Sequence, residues 1–309
     1  MLHHLPGLFV LLAVGGLGYF LLLVWVIGWK LSHPPRRTYV SAVVRNIAGE
    51  PGELSPPLGW SEWRLGSGGL ELPVWDIAGL EARGPVVILT HGWGDSRIGA
   101  LARIGHMSRF ASRLIAWDMP GHGEAPGRSR LGRREVADLV ALIDRVGAEG
   151  VVLYGWSLGA GVSIAAAVER RSVVGVIAEA PYRLPMTPAR NVMRASDLPS
   201  GLALRAAMLG LGFSPKVVER FDRALIAARV ECPLLVLHGE DDRICPEADG
   251  RAIAEAARLG CFVSIAQGTH NGLWVRAESV ERCVAAVARF GPLRSYDSTD
   301  AECSSQPDG

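Results

Sequence analysis

Val151-Val152-Leu153-Tyr154-Gly155-Trp156-Ser157-Leu158-Gly159-Ala160-Gly161-Val162-Ser163-Ile164-Ala165-Ala166-Ala167-Val168 is the stretch on which the reading of this chain turns. Its first four residues are a continuous apolar run, the pattern of a short strand buried on both faces of a parallel sheet. From Leu158 onward the run is long and rich in Ala, and it reads as a helix to Val168. Between the two lies Gly155-Trp156-Ser157-Leu158-Gly159, a strand-to-helix turn. Glycines at its ends let the backbone crowd together, so that the Ser157 hydroxyl projects above the sheet with the next backbone N–H free for an oxyanion. In a chain with 37 glycines among 309 residues the five-residue pattern alone is weak. The strand before it and the helix after it give it weight.

A serine hydroxyl is a poor nucleophile until a base takes its proton, so a histidine and an orienting acid are expected further along. His238-Gly239-Glu240-Asp241-Asp242-Arg243 follows the strand candidate Leu234 to Leu237, and Gly268-Thr269-His270-Asn271 follows Phe262 to Ala266. His270 is the expected base. Asp241 and Asp242 are adjacent candidates for the acid, and Glu179 ends another strand where an acid could also serve. His91, His106, His122 and His238 lack the matching position and read as structural. After an earlier strand comes His91-Gly92-Trp93-Gly94-Asp95-Ser96, a Gly loop able to aim the Trp93 N–H at the same point as the Leu158 N–H. Those two amides form the expected oxyanion hole.

Working outward, Trp60 to Leu65 and Leu70 to Ile77 read as a hairpin across a Gly-Ser-Gly-Gly turn. Val86 to Thr90, Leu114 to Trp117, Val173 to Ala178 and the runs already named follow, separated by helical patterns. Eight strands with a leading antiparallel hairpin and then β-α alternation predict an open, mostly parallel α/β sheet with helices on both faces. Residues 181–229 are too long for one crossover helix and carry five prolines, so they read as a small helical cap over the C-terminal ends of the strands.

The two ends differ from this domain. No charged residue occurs from Gly7 to Trp29, and at about 1.5 Å per residue the run is long enough to cross a bilayer. No Lys or Arg precedes it and no A-x-A site follows it, which favours an anchor over a cleaved signal. The expected organisation is a transmembrane anchor at 1–29, a Pro-rich linker at 30–59, the α/β domain at 60–290 and a disordered tail at 291–309. Lys30, Arg36, Arg37 and Arg45 follow the span, which places the domain on the cytoplasmic side. Five scattered cysteines without CxxC spacing argue against a zinc site or disulfide framework and fit a reducing compartment. Basic and acidic residues number 32 and 31, which gives no electrostatic reason to expect a nucleic-acid partner.

The chain resembles the α/β-hydrolase superfamily, in the group of monoglyceride lipases, lysophospholipases and serine aminopeptidase-like hydrolases. The resemblance spans about residues 60 to 290 and rests on His91 to Gly94, Asp118-Met119-Pro120-Gly121-His122-Gly123, Gly155 to Gly159, His238 to Pro246, and His270, in family order. It implies Ser157 as nucleophile, Asp242 as acid and His270 as base, with Asp118 and His122 in a structural loop. It also implies acyl transfer without metal or cofactor. Anchor and apolar cap together suggest an acyl or lipid-like ester as substrate, with Met186, Met193 and Met208 of the cap available to flexible chains. Arg183, Arg190, Arg194 and Arg205 of the cap could meet an anionic head group. An aminopeptidase would want convergent acids in the cap, where Asp197, Glu219 and Asp222 are spread apart. An acyltransferase, and an inactive membrane-bound binding module, are the remaining alternatives.

Overall fold

A computed structural model describes residues 5–293 of the chain. Eight strands form one sheet: β1 Trp60–Ser67, β2 Leu70–Ala78, β3 Val86–Thr90, β4 Arg113–Trp117, β5 Val151–Trp156, β6 Val173–Glu179, β7 Leu234–Gly239 and β8 Gly260–Ile265, in the order β1-β2-β4-β3-β5-β6-β7-β8. β2 runs antiparallel to β1 and β4, and every other pair is parallel. The hairpin is tighter than the sequence suggested. β1 continues through Gly66 and Ser67, leaving a two-residue loop in which Gly68 and Gly69 take φ of 50° and 77°. Positive φ at both central positions is the turn whose twist matches paired strands, and glycine adopts it without strain.

Helices flank the sheet. α1 is Leu5–Ser32, α2 Tyr39–Val44, α3 Leu101–Met107, α4 Glu135–Val146 and α5 Leu158–Ala167. The cap holds α6 Met186–Arg194, α7 Leu202–Gly210, α8 Pro215–Arg220 and α9 Arg223–Ala227, and α10 Glu247–Ala256 and α11 Ala277–Arg289 close the fold. Alternate residues of the central strands feed two cores. Ile88, Ile115, Leu153 and Val236 pack toward α4, α5 and α10, while Val87, Leu89, Val152 and Leu237 pack toward α3 and α11. Both faces are covered, so no polar alternation survives in these strands, and their sequences read as unbroken apolar runs.

A third core joins the N-terminal helix to the cap. Ile27 and Leu31 of α1 are buried among Ala189 and Met193 of α6, Leu204, Ala207 and Met208 of α7, and Phe213. Most of α1 before that point exposes apolar side chains, among them Phe9, Leu11, Leu17 and Trp25, and its stretch Phe9–Ser32 is long and apolar enough to cross a membrane. The last turn of a helix leaves carbonyls without intrahelical partners, and here the domain supplies donors. The Trp93 Nε1–H donates to Leu31 O at 2.9 Å and the Ser129 amide to Ser32 O at 2.9 Å.

The segment read as a linker is laid onto the domain. Arg36 donates to the carbonyls of Gly123 and Ala125 at 3.2 and 2.9 Å, and Arg37 pairs with Asp95 at 3.1 Å. α2 follows, and Leu58 is buried ahead of β1. Of the region read as a disordered tail, Gly291–Leu293 forms a short turn with Leu293 buried, and 294–309 lie outside the described residues. Cys232, Cys245 and Cys283 are free thiols, but Cys261 is disulfide-bonded, which corrects the expectation of unpaired cysteines throughout. An odd count still permits a bridge.

Candidate active site

Ser157 stands between β5 and α5 with φ 52° and ψ −115°, a conformation that L residues seldom hold. The chain around it fixes that geometry. A Cβ on Gly155 would lie 2.3 Å from Gly159 O, and one on Gly159 would lie 1.9 Å from Thr90 O, so both positions require glycine. The Ser157 amide donates to Glu179 O at 2.9 Å, tying the turn to the end of β6.

His270 and Asp242 arrive from the loops after β8 and β7. His270 Nε2 lies 2.9 Å from Ser157 Oγ, and His270 Nδ1 lies 2.7 Å from Asp242 Oδ2. The three side chains named from sequence therefore form one hydrogen-bonded run. Burial opposes ionisation of Asp242, but hydrogen bonds from His238 and His270, the attraction of His270 and the Cys245 amide outweigh it and hold the carboxyl well below the usual range. The Ile244 and Cys245 amides both reach Oδ1 at 2.8 Å, leaving Oδ2 to the imidazole. Asp241 is exposed and points its amide, not its carboxylate, into the structure, donating to Gly268 O at 2.9 Å.

Glu179 is engaged elsewhere. Its carboxylate accepts from Arg103 Nε and Nη2 at 2.8 and 2.5 Å, from the Tyr154 hydroxyl at 2.7 Å and from Trp274 Nε1 at 2.9 Å. His91 and His122 are buried in the loops beneath the site. His91 Nε2 accepts the Met119 amide at 2.9 Å, and burial pushes its pKa down to about 4. Asp118 clamps the same loops by accepting the amides of Arg97 and Glu124 at 2.7 and 2.9 Å. His238 is less remote than its sequence position implied: its Nε2 lies 2.9 Å from Cys245 O and 3.4 Å from Asp242 Oδ2.

A cavity of about 290 Å³ opens above Ser157. Trp93 and Leu158, the two residues whose amides were expected to bind an oxyanion, both line it with Ser157 and His270. Leu158 N–H is the first amide of α5 and lacks an intrahelical acceptor by position. The walls are largely apolar, with Leu131, Pro185, Pro188 and Val192 from the domain and cap. Leu31, Pro35 and Arg37 complete them, and sequence reasoning missed all three because nothing in a proline-rich stretch signals which surface it will lie on. The cap methionines do not line the cavity; Met193 and Met208 are core residues against α1. Nor do Asp197, Glu219 and Asp222, the last of which caps α9 and pairs with Arg183 at 2.8 Å. Asp242, Cys245 and His270 present potential ligand atoms within 4.8 Å of one another, but burial keeps the Cys245 thiol well above its ordinary pKa, and a protonated thiol is a poor metal ligand.

Comparison with known proteins agrees with this architecture. The chain is 27% identical over 244 residues to the pimeloyl-(acyl-carrier protein) methyl ester esterase of Chromobacterium violaceum, covering 66% of this chain and 94% of that one. The esterase Pf2001 of Pyrococcus furiosus superposes with a TM-score of 0.63 at 19% identity, covering 83% of this chain and 99% of that one. A bacterial membrane phospholipase A superposes with a TM-score of 0.58 at 17% identity over 93% of this chain and 98% of that one, a likeness of fold. The profile of the Alpha/beta hydrolase family matches residues 86–286, and with β2 antiparallel in an otherwise parallel sheet and a strained serine turn after β5, this chain belongs to the alpha/beta hydrolase family.

Proposed function

We propose that this chain is a membrane-anchored serine hydrolase that cleaves a carboxylic ester, acyl or lipid-like, through Ser157, His270 and Asp242. The observation that carries the reading is the hydrogen-bonded run from Asp242 through His270 to Ser157 at 2.7 and 2.9 Å, opening on an apolar cavity. Ser157 Oγ attacks the ester carbonyl carbon while His270 Nε2 takes the hydroxyl proton and Asp242 holds the imidazolium through Nδ1–H. The Trp93 and Leu158 amides receive the oxyanion, and His270 returns its proton to the leaving alcohol. Water then enters by the same route, giving the carboxylic acid and free Ser157. The C. violaceum relative is an ester hydrolase by name, which supports an ester over an amide.

The position of the cavity supports a lipid-like acyl group. Its wall includes Leu31, at the end of a helix that we read as crossing the bilayer, so an ester in the membrane lies beside the opening. Apolar walls suit an acyl chain and offer little to a charged peptide.

The full chain should label covalently with a fluorophosphonate. Ser157→Ala should abolish labelling and lower kcat for acyl esters by a factor of order 10⁶. Retained turnover in that variant would remove Ser157 from the reaction.

A further inference from the structure

A second cavity, about 430 Å³, lies where α1 leaves the domain and shares no lining residue with the first. Its lining includes His33, Leu70, Pro120, Arg128, Arg130 and Arg134. Three of these six side chains are arginines. Arg134 is fixed in place, donating to Ser67 O and Gly68 O at 3.1 and 2.8 Å with Asp138 3.7 Å away. Arg128 and Arg130 are exposed, and no ion pair among the described residues engages either. The acids that flank them in sequence are engaged elsewhere: Glu124 pairs with Arg97 at 2.6 Å, and Glu135 is buried and occupied by the amides of Arg130, Gly132 and Arg134. The cavity therefore keeps an uncompensated positive charge.

Its level relative to a bilayer follows from α1. The Ser129 amide, between the two free arginines, donates to Ser32 O at 2.9 Å, so the loop is fastened to the last turn of the helix. His33 stacks on Trp29 with ring centroids 3.7 Å apart, and Trp29 stacks on Trp25 at 5.9 Å. Tryptophans gather at the headgroup level of membranes. A loop bonded to Ser32 then presents Arg128 and Arg130 at the depth of lipid phosphates.

We propose that this cavity binds the phosphate of an anionic phospholipid headgroup, with Arg128 and Arg130 as its charge partners and the His33 imidazole beside them. Such a contact fixes the domain's tilt on the membrane and so the approach of the first cavity to the lipid. The proposal rests on the reading of α1 as a membrane span, and alkaline carbonate extraction of membranes holding the full chain tests that reading by itself.

The cavity is tested separately, by titrating the full chain in mild detergent with phosphatidylglycerol or phosphatidylcholine and reading bound lipid by native mass spectrometry. Phosphatidylglycerol should be retained in preference. The double variant Arg128→Gln, Arg130→Gln should bind it about 10- to 30-fold more weakly, as expected for two surface cations near an anionic lipid. Its hydrolysis of p-nitrophenyl butyrate should be unchanged, which shows that it has folded. Wild-type retention should also fall with added salt, a readout that needs no variant. Equal binding of both lipids, unchanged binding in the variant or a flat salt response would overturn the proposal. Displacement by an equal concentration of inorganic phosphate would assign the cavity to a free anion and overturn it as well.

Discussion

Ser157 holds a left-handed backbone conformation that costs an L residue about 1–3 kcal/mol, and the surrounding contacts keep it there. The close approaches at Gly155 and Gly159 admit no larger residue, and the Glu179 carbonyl receives the Ser157 amide. Strain of this kind aims the hydroxyl at His270 before any substrate arrives. The same reasoning separates the two acids at this edge of the sheet. Asp242 touches His270, so Asp242→Asn should lower kcat by about 10⁴ through the wrong imidazole tautomer, with Asp241→Asn nearly silent. Glu179 holds the buried Arg103 guanidinium and two further donors, so Glu179→Gln should instead destabilise the fold by roughly 3–5 kcal/mol. Turnover per folded molecule should stay within an order of magnitude. Urea unfolding and active-site titration of the three variants check this division, and a severe kcat loss confined to Glu179→Gln would move the acid to β6.

At the scale of elements, the central strands were legible because each is buried on both faces, which writes a continuous apolar run into the sequence. Ser157, Asp242 and His270 were legible as a set for a related reason: each follows such a strand, and parallel strands deliver their following loops to one edge. The role of the region before β1 was not legible. Pro34 and Pro35 announce only an extended path, whereas the carbonyls of Gly123 and Ala125 that hold Arg36 lie nearly 90 positions away. Contacts of that sequence separation leave no local period to read. α1 likewise showed its length and apolarity but not that its last turns pack on α7, where a Cβ at Gly28 would meet Ala207 Cβ at 4.0 Å. One consequence is testable. Leu31 is buried and lines the cavity, so Leu31→Ala should widen it and shift the preferred acyl chain of a p-nitrophenyl ester series toward greater length. A series unchanged in profile would mean that the acyl group lies elsewhere.

The whole molecule couples a buried loop scaffold to the long apolar helix α1, and each half makes a distinct demand. His91 is fully buried and neutral, its pKa lowered from 6.5 to about 4 by burial with a smaller push from Arg37, and His122 is held well below its ordinary value for the same first reason. Folded values below unfolded ones mean that their contribution is intact above about pH 6.5 and is lost as pH falls toward 4, when the unfolded chain binds protons that the fold refuses. His91 alone should lower stability by about 2 kcal/mol at about pH 5, seen as a fall in the urea midpoint between pH 7 and 5. Orientation is the other demand. Lys30, Arg36, Arg37 and Arg45 follow the span in sequence, and positive flanks stay on the cytoplasmic side. The folded domain adds Arg128 and Arg130 beside the end of α1, and if α1 spans the bilayer with the domain inside, they would gain from an anionic cytoplasmic leaflet. The cysteines no longer support the same side, since Cys261 is disulfide-bonded and oxidised pairs belong to oxidising compartments. Charge and redox state thus point in opposite directions, and protease accessibility decides between them. On the charge reading, protease added outside intact cells should leave the hydrolase domain whole until the membrane is permeabilised. Digestion before permeabilisation would agree with the Cys261 bridge, place the domain outside and make an extracytoplasmic ester its substrate.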